Sequence, residues 1–203
     1  MANSTEKALG VIPARYASTR LPGKPLADIA GKPMIVRVLE RARQATSLAE
    51  VVVATDDARI VDAVERYGGK AVMTPESLAS GTDRVAWVAS RRPADIVVNI
   101  QGDEPFLDPA AIDAAVALLV QDPAVPMGTL VRRLTNPEDL DNPNAVKVVR
   151  DAQGFALYFS RSAIPHHRDA SDWLTDAVYY QHVGLYVYRR DFLLDYRWMT
   201  DVK

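Results

Sequence analysis

The sequence predicts an α/β fold with a mostly parallel central sheet and a small mixed β extension, and two observations lead to this prediction. Up to residue 121, short apolar runs alternate with amphipathic runs, which is the pattern of βα units around a buried parallel sheet. After Gln121, β-rich runs follow one another with no helical spacing between them. The 203 residues suffice for one core, so we expect a single domain with halves at about 8–125 and 126–203.

Four apolar runs in the first half predict strands, at residues 9–12, 51–55, 70–73 and 95–100. Each run is followed by a signal for the start of a helix. In chain order, these signals are Pro33, Asp56 or Asp57, Ser80 with Asp83, and Asp108 with Pro109. In the second half, β-rich runs predict strands at 127–132, 145–149, 156–159 and 183–188 without intervening helices. We expect that half to supply the walls of a substrate site.

Composition excludes several classes of protein. The 24 Lys and Arg residues stand against 26 Asp and Glu residues, and a net charge of −2 gives no general attraction for nucleic acid or an anionic membrane. The absence of cysteine excludes a disulfide framework, a thiolate nucleophile and a Cys-based metal site. No apolar run has the length of a spanning helix and residues 1–7 do not resemble a signal peptide, so we expect a cytoplasmic protein without nucleic acid or membrane partners.

The most informative segment is the basic loop at residues 12–25, IPARYASTRLPGKP, which includes the end of the first apolar run. It places Arg15, Arg20 and Lys24 within ten residues that also carry hydroxyl groups and a glycine. Such a loop at the carboxyl end of a strand can surround a polyphosphate with positive charge and N–H groups, which favours a nucleoside triphosphate. The loop matches neither a P-loop nor a dinucleotide-binding glycine motif. The alternative is a solvated connection, because Arg and Lys are mostly surface residues.

A second candidate segment is the acidic turn that ends the fourth apolar run, within residues 97–105. Asp103 lies where a carboxylate can bind Mg²⁺, an ion that prefers oxygen ligands and shares the phosphate oxygens of a substrate. The alternative is that Asp103 and Glu104 only cap a turn. Because the carboxyl ends of the first and fourth strands can face one crevice in an open α/β sheet, we expect Asp103 opposite the basic loop.

The predicted start of the third helix, SGTDR at residues 80–84, is a third candidate. Free N–H groups and the helix dipole there favour an anion or the polar edge of a base. Arg84 can contribute to that site, or it can pair on the surface with Asp83 or Glu76.

The histidines give weaker signals. His166 and His167 have no third ligand at metal spacing, which argues against zinc. His182 begins a strand-like run, where it can bind a sugar hydroxyl or a carboxylate, or serve as a half-buried structural residue.

Taken together, five motifs in chain order resemble those of the 3-deoxy-manno-octulosonate cytidylyltransferases. They are residues 12–25, 80–84, NIQGDEP at 99–105, NPNAVKVV at 142–149 and YFSRSAIP at 158–165, within a match from about residue 11 to 190. The first loop is shared loosely with other sugar nucleotidyltransferases, whereas the last two motifs are narrower.

The resemblance implies a Rossmann-like nucleotide-diphospho-sugar transferase fold, with a nucleotide-binding first half and a sugar-binding and dimerising second half. It also implies a homodimer that uses Mg²⁺ to transfer CMP from CTP to 3-deoxy-manno-octulosonate (Kdo), releasing pyrophosphate, for lipopolysaccharide biosynthesis.

The resemblance also implies roles for individual residues. Lys24, Asp103 and Arg15 would carry the chemistry, with Asp103 as the metal ligand. The residues implied for nucleotide binding are Ala14, Arg15, Arg20, Lys24, Ser80, Arg84 and Gln101. The residues implied for sugar binding are Arg20, Gln101, Arg161, His182 and Tyr186. An arginine such as Arg161 can hold the carboxylate of the acidic sugar through two hydrogen bonds.

The family pattern continues beyond Lys203 with a segment that lines the sugar site and with a D-x-P-E-D segment that carries a second metal carboxylate. Residues 136–139, NPED, look like the latter, but Asn stands at the ligand position, so we reject them as the ligand. An active chain of this length is therefore expected to use another acid. The alternatives are an inactive nucleotide-binding homologue and a sialic acid cytidylyltransferase, which shares the first loop.

Overall fold

The computed structural model describes residues 6–17, 21–168 and 177–199, with side chains up to residue 195. These residues form two compact units. The first unit contains the described residues of Met1–Gly128 and Leu185–Lys203, and the second contains those of Thr129–Gly184. The chain thus leaves the first unit after Gly128 and returns to it at Leu185.

Among the described residues, the strands are β1 (Ala8–Ala14), β2 (Asp28–Ile29), β3 (Lys32–Pro33), β4 (Leu48–Thr55), β5 (Ala71–Met73), β6 (Ile96–Asn99), β7 (Met127–Arg133), β8 (Lys147–Arg150), β9 (Ala156–Ser160) and β10 (Tyr180–Arg189). The helices are α1 (Met34–Ala42), α2 (Ala58–Arg66), α3 (Gly81–Ala89), α4 (Pro109–Gln121), α5 (Pro137–Asp141) and α6 (Arg190–Met199), and Lys24–Leu26 form a 3-10 helix. Every strand predicted from the sequence is present, with bounds shifted by a few residues. Within the described ranges, no helix has both the length and the apolar character needed to cross a bilayer.

The sheet of the first unit brings the ends of its parallel strands to one edge. β5, β4, β1 and β6 lie side by side in parallel, and the end of β10 joins β6 as an antiparallel neighbour. Val11 of β1 stands opposite Val52 of β4 and Asn99 of β6, and Asn99 stands opposite Tyr186 of β10. This arrangement confirms the predicted, mostly parallel α/β sheet, and ligands of such sheets bind at the carboxyl ends of the strands.

One face of this sheet is covered by α3 and α6. Because side chains alternate along a strand, Leu9 and Val11 of β1 and Val97 of β6 reach the same buried cluster. Val85 of α3 and Leu193 of α6 pack into that cluster. Burial of each such side chain stabilises the folded state by about 1.5–3 kcal/mol. The apolar side chains at alternate positions of the strands therefore hold these helices on the sheet.

The first turns of α2 and α3 are capped by acidic and hydroxyl side chains. Ser80 and Asp83 form the predicted capping box of α3, in which Asp83 N donates to Ser80 Oγ at 3.1 Å and Ser80 N donates to Asp83 Oδ2 at 2.9 Å. Of the two candidates for α2, Asp57 is the cap, because it accepts from the Arg59 N–H at 2.9 Å. Asp56 is therefore available for another role.

In the second unit, β8 pairs antiparallel with β9 and with the start of β10. These pairs agree with the expected β extension, but the prediction that no helix lies among its strands is wrong. α5 lies between β7 and β8, with Pro137 in its first turn and Asn136 as its cap, accepting from the Glu138 N–H at 3.2 Å. The NPED segment is therefore a helix start, and at five residues the helix is too short for helical spacing to show in the sequence.

Candidate active site

The basic loop after β1 closes around the side chain of Tyr16. The Gly23 N–H donates to the Tyr16 carbonyl at 2.9 Å, and Gly23 has a φ of 70°, which glycine adopts without strain. A Cβ atom at this position would lie 3.2 Å from the Tyr16 ring. The Arg59 guanidinium covers the ring at 3.4 Å from its centroid. Gly23 directly precedes Lys24, the first residue of the 3-10 helix.

The basic loop lies opposite the acidic turn after β6, as predicted. Lys24 Nζ is 2.6 Å from Asp103 Oδ2, and the two side chains are 41% and 50% exposed. A Cβ atom on the preceding residue, Gly102, would lie 2.9 Å from the Pro13 carbonyl oxygen, so glycine is required for the turn to approach the end of β1 this closely. Because both charged groups are partly exposed, a ligand can reach them.

Arg84 is buried, and Asp56 is its partner. The Arg84 side chain has no exposed surface, and its Nη2 lies 2.7 Å from Asp56 Oδ2. The same carboxylate oxygen lies 3.6 Å from Arg15 Nε, so Asp56 joins a buried arginine to a partly exposed one. The alternative of a surface pair between Arg84 and Asp83 or Glu76 is therefore wrong, because the guanidinium points into the protein.

Further contacts hold the Arg84 guanidinium in place. Its Nη1 donates to Thr74 Oγ1, which in turn donates to the Thr55 carbonyl at 2.9 Å. Burial lowers the pKa of Arg84 while Asp56 raises it and Arg15 lowers it further, but an arginine stays protonated in proteins. A side chain without exposed surface is suited to positioning Arg15 through Asp56 rather than to touching a ligand. The implied role of Arg84 in nucleotide binding stays a prediction.

Sequence reasoning missed Asp56 and Thr74 as parts of the candidate site. Asp56 directly follows β4, and Thr74 directly follows β5. The signal that identified Arg15 and Asp103, a polar residue shortly after an apolar run, therefore also marks these two. Asp56 was considered only as a helix cap.

A cavity of about 340 Å³ lies beside the ends of β1 and β6. Two residues implied for sugar binding, Gln101 and Tyr186, line it together with Thr82 of α3 and Met127 of β7. Burial raises the pKa of Tyr186, so its phenol is neutral at pH 7. Asn99 also lines the cavity, and sequence reasoning missed it although it is the polar interruption in an apolar run.

The start of α3 also contributes to this cavity. Gly81 and Thr82 line it, and N–H groups in the first turn of a helix favour acceptor or anionic groups. Ser80 Oγ donates to Asp83 Oδ2 at 2.7 Å, so this hydroxyl serves the helix cap. Ala14 is buried at the end of β1. The implied contacts of Ser80 and Ala14 with a nucleotide stay predictions.

Two cations of the second unit bind one loop through its carbonyl groups. Arg161 Nη1 donates to the Pro143 carbonyl at 2.5 Å, and Lys147 Nζ donates to the Asn142 carbonyl at 2.9 Å. Lys147 is fully buried, and this burial lowers its pKa. Arg161 is exposed, as a contact with the sugar carboxylate requires, and its implied role stays a prediction.

His182 is partly buried within the second unit. Its Nε2 lies 2.9 Å from Thr129 Oγ1, its backbone N–H donates to the Val146 carbonyl at 2.8 Å, and its ring meets Phe159 edge-on at 5.4 Å between centroids. Burial lowers the pKa of His182, which favours the neutral ring at pH 7. These contacts fit a half-buried structural residue, and its implied role in sugar binding stays a prediction.

Asp103 is the candidate metal ligand. Over residues 6–17, 21–168 and 177–199, no three or more His, Cys, Asp or Glu side chains gather into a metal-binding group. Mg²⁺ retains several waters and is bound through one or two carboxylates together with substrate phosphates, so the single exposed carboxylate of Asp103 fits such an ion beside a nucleotide. Arg20, implied for both substrates, lies outside the described residues.

The sequence is similar to named cytidylyltransferases over nearly its whole length. A model of the cytidylyltransferase family matches residues 9–203. The chain is 57% identical to the 3-deoxy-manno-octulosonate cytidylyltransferase of Solibacter usitatus over 190 residues, 94% of this chain and 74% of that protein. It is 55% identical to the enzyme of the same name from Geobacter sulfurreducens over 193 residues, 92% of this chain and 77% of that protein. The chain thus spans about three quarters of the length of these relatives.

Solved structures have the same fold. One, of CMP:2-keto-3-deoxy-manno-octonic acid synthetase complexed with CTP, matches with a TM-score of 0.88 and 49% identity, over 95% of this chain and 78% of that chain. Another, of 4-diphosphocytidyl-2C-methyl-D-erythritol synthase from Anaerococcus prevotii, matches with a TM-score of 0.61 and 12% identity, over 98% of this chain and 80% of that chain. The second similarity shows the fold alone, and together they confirm the predicted fold of a nucleotidyltransferase.

Proposed function

The chain belongs to the cytidylyltransferase family, and from this premise we propose that it transfers CMP from CTP to Kdo and releases pyrophosphate. The observation that carries the proposal is the edge of the first unit, where Lys24 and Arg15 lie beside acidic Asp103 and Asp56. The relatives named for this reaction are 55% and 57% identical to the chain over the aligned residues. We place the reaction in the cytoplasm, in the synthesis of lipopolysaccharide.

Binding of CTP requires groups that balance the charge of a triphosphate. Lys24 Nζ and the Arg15 guanidinium are partly exposed at the end of β1, and we expect both to contact the triphosphate. Arg15 is held by Asp56 and by the Ala79 carbonyl, 3.4 Å from its Nη1. This arrangement supports the assignment of Arg15 and Lys24 to the phosphates, and we expect Arg20 to join them.

The chemical step is an attack of a sugar hydroxyl on the α-phosphorus of CTP, in line with the leaving pyrophosphate. In such reactions the protein contributes mainly by positioning the reactants and by stabilising the charge that develops. Lys24 and Arg15 would stabilise the negative charge of the leaving group. Mg²⁺, for which Asp103 would be the ligand in this chain, would supply further neutralisation of the phosphate charge.

We assign the sugar to four of the residues that the family resemblance implies for it. Gln101 and Tyr186 offer an amide and a neutral phenol in the first unit. In the second unit, Arg161 offers a guanidinium for the sugar carboxylate, and His182 offers a neutral ring for a hydroxyl. For Tyr186, Arg161 and His182, which are implied for the sugar alone, we expect alanine to raise KM for Kdo more than KM for CTP.

The proposal is tested by pyrophosphate release from CTP, Kdo and Mg²⁺ with the full chain. We expect turnover that depends on both substrates, and about 100-fold lower kcat/KM when UTP replaces CTP or sialic acid replaces Kdo, because a site built for particular polar groups rejects analogues that leave them unpaired. Calorimetric binding of CTP without pyrophosphate release for either sugar would contradict the proposal and favour an inactive nucleotide-binding homologue.

We further propose that the chain forms a homodimer through β9. In the described part of the chain, β9 pairs with β8 and lies at the edge of its sheet. Leu157, Tyr158 and Phe159 on β9, with Phe155 beside it, are between 43% and 65% exposed. An exposed apolar edge strand favours pairing with a second chain.

Light scattering after size-exclusion chromatography tests the dimer. We expect the wild-type chain to have twice the mass of one chain, and Leu157→Glu to shift it to a monomer, because a charge on each copy opposes burial of the strand. Val120→Glu is the matched control, since Val120 is an exposed apolar residue on α4 and the variant should stay dimeric. A monomeric wild type, or a dimeric Leu157→Glu, would contradict the proposal.

A further inference from the structure

Asn99 carries a buried polar atom that none of the described residues satisfies. It is the last residue of β6 and is 3% exposed, and within residues 6–17, 21–168 and 177–199 its Oδ1 has no hydrogen-bond partner. A buried acceptor without a partner destabilises the folded state, so such atoms are rare in native proteins and need an explanation. A ligand that supplies the missing partner is one explanation.

The position of Asn99 connects this atom with the cavity beside the ends of β1 and β6. Side chains alternate along β6, so Val97 and Asn99 point to the same face of the sheet. Val97 belongs to the buried apolar cluster under α3 and α6, whereas Asn99 lines the cavity. This face of the sheet is therefore apolar at Val97, where the helices pack on it, and polar at Asn99, where the cavity begins.

The lining of the cavity indicates the chemistry of the ligand. The described residues around it include hydroxyl and amide side chains from three elements, namely Thr82 from α3, Asn99 from β6 and Tyr186 and Tyr188 from β10, and none of its described lining residues carries a formal charge. A phosphate or carboxylate would therefore meet no cationic side chain among these residues. A planar base presents its polar atoms along one edge, whereas a polyhydroxylated ring presents them on all sides. The cavity therefore suits the hydroxyl groups of a sugar.

The geometry points to Asn99 as a specificity-determining residue that binds a hydroxyl of the acceptor sugar through its amide. A half-turn about χ2 exchanges the oxygen and nitrogen of the amide with almost no change in shape, so Asn99 can present either an acceptor or a donor. The identity of the sugar as Kdo rests on the proposed function, whereas the contact itself rests on the buried amide and the cavity.

The test uses Asn99→Leu, which keeps the approximate size of the side chain and removes its polar atoms. Calorimetric titration of Kdo into the full chain should show about tenfold weaker binding for the variant, with CTP affinity within twofold of wild type. Its thermal unfolding midpoint should not fall, because the unsatisfied buried acceptor is gone. The control is Val98→Ala, because Val98 directly precedes Asn99, is buried and points to the opposite face of the sheet. This variant should lower the unfolding midpoint and leave the affinity for Kdo within twofold of wild type.

Monodeoxy analogues of Kdo identify the bonded hydroxyl. Wild type should bind the analogue that lacks this hydroxyl about tenfold more weakly than Kdo. Asn99→Leu should bind that analogue and Kdo with equal affinity. The inference is overturned if wild type does not bind Kdo, if the variant binds it unchanged, or if the variant loses affinity for CTP instead. Absence of pyrophosphate release while Kdo binding still depends on Asn99 would overturn the proposed function and leave this inference standing.

Discussion

Replacing Lys24 by alanine is expected to lower kcat/KM for pyrophosphate release by about 100-fold or more, the loss typical of removing one group that stabilises developing charge. Lys24 lies 2.6 Å from Asp103 at the edge where we place the triphosphate. Its surface pair with Asp103 contributes at most about 1 kcal/mol to folding, so the unfolding midpoint should change little. Steady-state kinetics with CTP as the varied substrate, together with thermal unfolding, measure both effects.

Lys70→Ala is the matched control for Lys24→Ala. Lys70 also forms an exposed ion pair, with its Nζ 2.8 Å from Glu50 Oε1, but it directly precedes β5 and so lies at the opposite end of that parallel strand. Its replacement should leave kcat/KM within twofold. If Lys24→Ala has no greater effect than Lys70→Ala, the assignment of the basic loop to the triphosphate is wrong.

Replacing Asp56 by asparagine is expected to destabilise the protein by about 3 kcal/mol, because it leaves a buried guanidinium without its carboxylate. The Arg84 side chain has no exposed surface and that of Asp56 is 10% exposed. For a domain of this size the loss corresponds to a fall of about 6–12 °C in Tm. Calorimetric or circular-dichroism melting measures it, and KM for CTP should also rise, since Asp56 holds Arg15.

Asp57→Asn provides the comparison for Asp56→Asn at the adjacent position. Asp57 pairs with exposed Arg59 and caps α2, and asparagine caps a helix as well as aspartate does, so its Tm should change by only a few degrees. In an Arg84→Met background there is no guanidinium at this position to be left unpaired, so Asp56→Asn should then reduce the free energy of unfolding much less. Equal melting of the Asp56→Asn and Asp57→Asn variants would refute the buried ion pair.

The features that the sequence predicted correctly are those with local signals. The capping box needs only Ser80 and Asp83, three residues apart, and the strands need only short apolar runs. The meeting of Lys24 with Asp103 followed from one general rule, that parallel strands end at the same edge of a sheet.

The features that sequence reasoning missed depend on contacts between distant segments. Arg84 lies 28 positions after Asp56, and nothing around either residue distinguishes this partner from a nearer acid such as Asp83. Asn99 is visible in the sequence as a polar interruption of an apolar run, but its position beside a cavity lined from α3 and β10 is visible only in the fold. The helix α5 was missed for a different reason: its five residues complete little more than one turn, so no helical spacing is visible in the sequence.

The ion pair between Lys24 and Asp103 affects how a nucleotide would meet this surface. A lysine side chain has about 2 kcal/mol of rotamer entropy to lose when it is immobilised. In the free protein Asp103 already restricts it, and the closed loop around Tyr16 fixes its origin. Part of that entropy has therefore been lost during folding, so an incoming triphosphate meets a cation that is partly preorganised.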